Sequence, residues 1–505
     1  MDAIQLIAKE VAQWLEGNST YTTYKDQWRY LLESYVGGEE YRRAGHLTRY
    51  QLETDAEYAA RLKATPLENH CASVISVYNS FIFRTPPVRR WSSTAITTQP
   101  QMIDFMRDAD LDGRSFDAFM RDVSTYASVF GHTWVMVTKP DVGAITLADE
   151  IALGVRPYVS LLTPLVVLDW QWTRALNGRY ELTYLKYLED SNGDVSVVKE
   201  WTAQTITTAI VNESTPSIEK EQVVNQLGYI PAVCVYGKRS VIRGIGISDI
   251  ADIADAQRFI YNATSEVDQS IRLDSHPSLV KTADTNAGVG AGAIIHMPEN
   301  LDPGLKPYVL DFTGASIDKI QLAIAHTVDA IDKMANTGAV RSTQSKSMSG
   351  VAMETEFQLL NARLSEKGAA LALAEEQIWQ IWFDYQGMQE SVEIEYPESY
   401  NIRDVYNDLD FYLKASTATI PSVTWKQELN KAIVRTVITA DEFTLQQIDD
   451  EIMSGIELEI ESEPSPGETE DTPEDDMEDE MEDEQDMQDG MDMQDDSEDL
   501  PQQGM

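Results

Sequence analysis

The residues able to do chemistry are present in this chain, but not at spacings that would let them act together. Six histidines stand at positions 46, 70, 132, 276, 296 and 326, and none lies at a metal-ligand spacing from a cysteine or another histidine. Asp252 with Asp255, and Asp329 with Asp332, are three residues apart on predicted helices. Such pairs share a helix face and read as solvated surface. Gly288-x-Gly290-x-Gly292 has the composition of a phosphate-cradling loop. It lacks the third-glycine spacing of a dinucleotide fingerprint, and Ala293-Ile-Ile-His296 after it reads as extended, not as the helix such a loop must open. The chain contains no Gly-x4-Gly-Lys-Ser/Thr loop and no Gly-x-Ser-x-Gly elbow. No catalytic residue, metal site or cofactor is expected.

Charge and length bound the remaining classes. The 505 residues require more than one packing unit, and they carry 39 Lys+Arg against 84 Asp+Glu, a formal charge of -45. Residues 457–505 hold 23 carboxylates and no basic residue, and the last basic residue of the chain is Arg435. That segment cannot bury enough apolar surface to offset its ordering entropy and is expected to be disordered; it also lacks an EF-hand spacing. Residues 1–456 still carry a net charge of -22, which argues against a nonspecific nucleic-acid clamp. Cys71 and Cys234 lie far apart in apolar contexts and read as free thiols. No signal peptide and no membrane-spanning run is read, so a soluble protein made in a reducing compartment is expected.

The periodicities predict a mainly helical α+β chain. Ile4, Leu6, Ile7, Val11, Trp14 and Leu15 recur at helical spacing, Tyr24 to Tyr35 continues the pattern, and one helix is expected over Asp55 to Phe83. Asp117 to Phe130 reads as a helix leading through Gly131 into a buried strand at 133–138. Between 155 and 237, runs at Pro157–Leu162, Val166–Trp172, Tyr180–Leu188 and Val195–Thr202 alternate with Asn177-Gly178 and Asn192-Gly193 turns. They predict one antiparallel sheet closed by Ile230–Tyr236. Ser248-Asp249 is expected to cap a helix to about Leu273, and Ser316 with Asp318 a second one with the face Ile317, Ile320, Ile324, Val328, Ile331 and Met334. Residues 274–315 between them are irregular, with strand candidates at Ile294-Ile295 and Tyr308–Leu310. Residues 339–350 are small and polar and read as an exposed loop. A long helix over about 353–387 follows, about 50 Å in length. Met353, Phe357, Leu360, Leu364, Leu371, Ala374, Ile378, Ile381 and Tyr385 form its stripe, interrupted by Lys367. Val392–Tyr396 alternates as a strand, and helices resume through 403–455.

The order of these parts carries a resemblance. It runs through Asn79-Ser-Phe-Ile-Phe-Arg-Thr-Pro-Pro87, Phe116 to Lys139, Arg156-Pro-Tyr158, Leu168-Asp-Trp170 and Gly228-Tyr-Ile-Pro-Ala-Val233. It continues with Gly246-Ile-Ser-Asp249 opening a helix, His276-Pro-Ser-Leu, an irregular excursion, a returning helix, a Ser-rich loop and the long helix. This resembles the portal proteins, or head-to-tail connectors, of tailed bacteriophages. The resemblance covers roughly 60–400 well and the first 60 residues loosely.

What it implies is a wing over 1–247, a first stem helix over 248–273, a clip over 274–315 and a second stem helix over 316–336. A tunnel loop over 337–351, a spanning helix with a return strand over 352–402, a helical crown over 403–456 and the acidic tail over 457–505 complete it. It further implies a ring of twelve copies at one capsid vertex of the virion, assembled in the bacterial cytoplasm. Implied partners are scaffold and major capsid protein, the packaging terminase motor, a head-tail adaptor and the double-stranded DNA that passes through, with no membrane. On this likeness Arg341, Ser342, Thr343, Gln344, Ser345 and Lys346 would face DNA, and Met353, Phe357, Leu360, Leu364, Leu371 and Ile378 would line a subunit-packing helix. A different virion structural or adaptor protein, and a nucleotide-dependent enzyme with a site near 284–296, are the alternatives.

Overall fold

The computed structural model describes residues 3–93, 95–140, 146–275, 278–282, 286–287, 295–296, 302, 304, 306–310, 315–341, 350–397, 400, 405–417, 420–438 and 442–462. The chain is a mixed α+β protein with antiparallel sheets, and it divides into two compact units, 1–402 and 403–505.

The first unit opens with helices whose starts are set by capping side chains. Asn18 accepts from the Tyr21 amide to begin Ser19–Val36, and Thr54 with Glu57 forms a capping box at Asp55–Ala64. The single helix expected over 55–83 is two, Asp55–Ala64 and His70–Ile82. Pro66 is the reason, since the residue before a proline is pushed out of the α region, and Thr65 has ψ 120°. Asn69 restarts the helix by accepting from the Ala72 amide.

Phe116–Phe130 ends on Gly131, in the left-handed region at φ 87°, and the chain enters His132–Thr138. That strand lies at the centre of a three-stranded sheet between Tyr158–Leu162 and Ala232–Tyr236, pairing Trp134 with Leu162 on one side and with Cys234 on the other. The run Ile230–Tyr236 therefore does not close the hairpin sheet. That sheet is a separate five-stranded meander of Val167–Arg174, Tyr180–Asn192, Val195–Thr202, Thr205–Asn212 and Ser217–Val224. Its Asn-Gly turns are as read, with Gly178 and Gly193 at φ 82° and 62°. Its last strand, Ser-Ile-Glu-Lys-Glu-Gln-Val-Val, escaped the sequence reading because an edge strand that is exposed or half-exposed throughout carries no apolar alternation. Val392–Glu395 is a strand as expected, and its partner is Val88–Trp91, which the sequence did not announce.

An antiparallel helix pair follows, Ala251–Ser275 and Ala315–Ala335, with short strand pairs 278–280 with 308–310 and 286–287 with 295–296 between its far ends. The Gly288–Gly292 run lies outside the described residues. The returning helix ends at Asn336, φ 56°, and Gly338–Arg341 forms one further helical turn where a loop was expected. The long helix is Gly350–Gln386, 37 residues and so about 55 Å. Its C-terminal half carries the aromatic core: the Trp379 ring lies 5.0 Å from Trp91, 5.1 Å from Phe105 and 5.0 Å from Phe116.

The second unit contains Val405–Ser416, Val423–Val437 and Glu442–Ser462, with Arg435 bonded to Asp449 at 2.7 Å. The last helix continues six residues into the segment expected to be disordered, and 463–505 lie outside the described residues.

Candidate functional site at the root of the helix pair

The expected cap at Ser248-Asp249 takes a different form. The Ser248 hydroxyl donates to the Val129 carbonyl at 2.6 Å and accepts from the Ile250 amide at 3.1 Å, and the helix begins at Ala251. Asp249 is not left at a solvated helix end. Its side chain is 5% exposed and is held by Lys367, and by Arg363 at 3.1 Å. Lys367 also donates to the Ser128 hydroxyl at 3.0 Å. Burial acts to raise the Asp249 pKa, but Lys367 and Arg363 overcome it and hold the carboxyl below its usual range. The charge is kept because it is paired and bonded on both oxygens.

The same arginine closes the other end of the pair. Arg363 donates to the Met334 carbonyl at 2.9 Å, and Tyr78 donates to the Ala335 carbonyl at 2.6 Å. Two of the last carbonyls of the returning helix are thus satisfied by side chains, with a cation at the negative end of the helix dipole. The Arg363 guanidinium stands 5.1 Å from the Tyr78 ring centroid. One guanidinium on the long helix therefore binds the start of the outgoing helix and the end of the returning one. The excursion between them projects from a fixed root.

A second lock lies where the returning helix hands over to the next segment. Arg341 meets Asp332 at 2.8 Å and donates to Nδ1 of His70 at 2.9 Å, so His70 accepts on that nitrogen and is neutral. Burial lowers the His70 pKa and the Arg341 charge lowers it further. A third lock pins the long helix to the body. Arg89 donates to Glu375 at 2.5 Å and to Asp117 at 2.6 Å, while Tyr396 donates to Glu375 at 3.0 Å. Glu375 is fully buried, and its two oxygens are both bonded.

The residues singled out from sequence fall in three places. Arg341 is in the lock with Asp332 and His70, its side chain 13% exposed. Ser342, Thr343, Gln344, Ser345 and Lys346, and the side chain of Met353, lie outside the described residues. Leu360, Leu364, Leu371 and Ile378 are buried in the chain's own core, and Phe357 packs half-buried against Phe81 at 5.8 Å. The described part of the stripe is thus covered within one chain; among the described residues the exposed apolar ones of the same helix are Leu359 and Leu373. The charged groups that tie the elements together, Arg89, Asp249, Arg363, Lys367 and Glu375, were missed. The available signal was Lys367 and Glu375, charges interrupting an apolar stripe, which a helix tolerates only where each finds a buried partner.

Cys71 and Cys234 are free thiols as expected, and burial pushes the Cys71 thiol up to about 12. Among the described residues no group of three or more His, Cys, Asp or Glu is placed to hold a metal ion, and no helix is long and apolar enough to cross a membrane. A surface hollow of about 460 Å³ is lined by Tyr50, Leu52, Glu53, Glu57, Arg61 and Arg272, and its Glu53 is already bonded to Arg61 at 2.7 Å.

Fold and locks together define an α+β protein whose buried ionic groups join helices to one another and to the sheets. No family model matches the chain, and no curated protein matches it. Among solved structures, it is similar to a chain in the neck of an empty gene transfer agent particle computed with C6 symmetry, at 10% identity and TM-score 0.43 over 78% of this chain and 99% of that one. It is also similar to a chain in the virion of a native gene transfer agent particle, at 10% identity and TM-score 0.42 over 77% and 97%. A chain in the neck of the native particle computed with C12 symmetry gives 10% identity and TM-score 0.39 over 81% and 100%. The likeness is one of outline, and it assigns no residue and no role.

Proposed function

We propose that this chain is the portal protein of a tailed bacteriophage, a subunit of a ring at the unique capsid vertex through which DNA is packaged and ejected. The observation that supports this reading best is the antiparallel helix pair with a small β excursion at its far end, clasped at its root by one guanidinium of a 37-residue helix. This is the stem, clip, stem and spanning-helix order that the sequence resembles. In this reading the chain has no catalysis of its own, and ATP hydrolysis belongs to a separate motor. The ring of twelve docks the terminase motor and later a head-tail adaptor, and assembles with scaffold and major capsid protein. Residues 342–346 would lie along the DNA path, and the formal charge of -45 keeps a passing polyanion from sticking.

Negative-stain imaging of the purified full-length chain tests this. Annular particles with a central hole are expected. A monomer at every salt concentration tested overturns the reading, and saturable ATP turnover by the pure chain replaces it with a nucleotide-dependent enzyme. A closed assembly without a central hole points to another virion structural or adaptor protein.

A further inference from the structure

In a chain of formal charge -45, the ten residues Lys238–Ile247 hold three cations and no acid. The loop they form lies across the end of the five-stranded sheet. Gly244, at φ 82°, donates to the Tyr236 hydroxyl at 2.9 Å, and a Cβ there would come within 2.4 Å of the Trp170 indole nitrogen, so the loop is seated directly on that ring. Arg243 lies 3.9 Å from the centroid of Tyr180 and 5.7 Å from that of Trp172. Arg174 stands 5.5 Å from the same Tyr180 ring, and Arg239 lies 5.0 Å from Tyr236. Among the described residues, no carboxylate forms an ion pair with Arg174, Arg239 or Arg243. The Tyr180 neighbour Glu181 pairs with Thr173 and so takes the opposite face of the sheet from Tyr180. Two aliphatic side chains stand fully in solvent at this end, Leu176 in the adjoining hairpin turn and Val241 in the loop.

We propose that this surface docks an acidic peptide segment of another polypeptide, one in which carboxylates are interspersed with aliphatic side chains. A guanidinium stacked on an aromatic ring presents its in-plane N–H groups to a carboxylate, and in Arg174, whose Nε donates to the Gly178 carbonyl at 3.2 Å, it is the terminal amino groups that would do so. Stacking also fixes the side chain in advance, so less freedom is lost on binding. The aliphatic pair is what selects a peptide over nucleic acid. A phosphate backbone needs a row of cations and gains nothing from an exposed leucine and valine, whereas a peptide brings side chains that cover them. The inference is independent of the ring reading, since it concerns one surface of a single chain and stands or falls on binding alone.

The test uses the full-length protein and a fluorescein-labelled synthetic peptide of repeated Asp-Glu-Leu triplets, followed by anisotropy. Saturable binding that weakens with salt is expected. Arg174→Glu and Arg243→Glu should each weaken it on the order of tenfold or more. Leu176→Ser with Val241→Ser should weaken it several-fold, and a peptide with serine in place of leucine should show the same loss on the native protein. Arg243→Lys keeps the charge and loses the planar fork, and an intermediate loss is expected; with the salt dependence of the native protein it keeps the test decisive if a glutamate variant fails to fold. Binding that is absent, or unchanged by the charge reversals, overturns the proposal. So does displacement of the peptide by a DNA duplex of matched charge at lower concentration, which makes the surface a nucleic-acid site. A change in the mass of the assembly with peptide affinity unaltered also overturns it, and makes the occupant a second copy.

Discussion

Lys367, near the middle of the long helix, donates to Asp249, two residues before the outgoing helix of the pair, and both side chains are about 5% exposed. Arg363, one turn earlier, bonds the other oxygen of the same carboxylate and a terminal carbonyl of the returning helix. One buried acid and two cations therefore tie the roots of both helices to the long helix.

Removing one of those cations should be costly. Lys367→Met leaves Asp249 with Arg363 alone and is expected to destabilise the first unit by roughly 3–5 kcal/mol, read as a shift in the denaturant midpoint. Because the folded pKa of Asp249 is depressed, its contribution is present above the unfolded carboxylate pKa and is lost as pH falls through the folded value. Asp249→Asn should accordingly flatten the acid limb of stability below about pH 4. An acid limb of unchanged slope in that variant would show that the two cations do not lower the carboxyl's pKa on folding.

His132 gives a second pH dependence of opposite origin. Burial lowers its pKa to about 3, and its Nδ1 accepts from the Gly246 amide at 3.2 Å. The unfolded chain takes up a proton near pH 6.5 that the folded chain refuses, so stability falls as pH drops from about 6.5 towards 3. His132→Gln should reduce that slope, measured as urea midpoints between the two pH values.

Gly131 and Gly246 are in backbone contact. A Cβ on Gly246 would lie 1.8 Å from the Gly131 carbonyl oxygen, and one on Gly131 would lie 2.5 Å from backbone atoms of Gly246 and Ile247. Backbone cannot give way as a side chain can. Gly246→Ala is expected to cost several kcal/mol, on the order of 3 or more, with loss of soluble yield and a lowered Tm. A variant with native Tm would show that the two segments separate freely.

Two leucines five residues apart on the long helix, and so on different faces, should fail differently. Leu364 is fully buried and Leu359 is 56% exposed. Leu364→Asp places an unpaired charge in the core and should abolish folding of the first unit, seen by circular dichroism. Leu359→Asp should leave the fold intact and, if this face packs against a neighbouring copy, reduce assembly in sedimentation. The same circular dichroism loss from both variants would argue against the division.

Arg341 lies in the lock with Asp332 and His70, and Lys346 lies outside the described residues. Arg341→Ala leaves Asp332 half-paired near a buried site and should lower stability by about 1–3 kcal/mol. If the segment around Lys346 is the exposed loop its composition suggests, Lys346→Ala should leave Tm unchanged and, on the portal reading, reduce DNA packaged or retained. Equal Tm for the two variants would count against the lock. Packaging and retention unaffected by Lys346→Ala would remove that charge from DNA handling.

The sequence by itself determined most elements and their order, because each was announced by local physics. Asn-Gly supplied the positive φ of the hairpin turns, and Gly131 ended a helix whose apolar face was continuous from Phe116 to Phe130. The three-to-four residue steps marked the returning helix of the pair, and Ser248-Asp249 announced the outgoing one. Local physics also held the break at Pro66, which a reading of apolar periodicity alone passed over. What only the tertiary structure decided was partnership. The strand Ile230–Tyr236 could add to the edge of either sheet by its own pattern, and it pairs with His132–Thr138, a distant partner that no local preference names. Val88–Trp91 and Val392–Glu395 are some 300 residues apart, and no local preference of either encodes the other. The stripe on the long helix was legible, but its covering was not: an apolar face demands burial without naming what buries it. Lys367 shows the limit most plainly. In sequence it is an interruption, and in the fold it is the charge that makes Asp249 possible, because a buried ion is tolerable only at the one place where its counter-ion arrives.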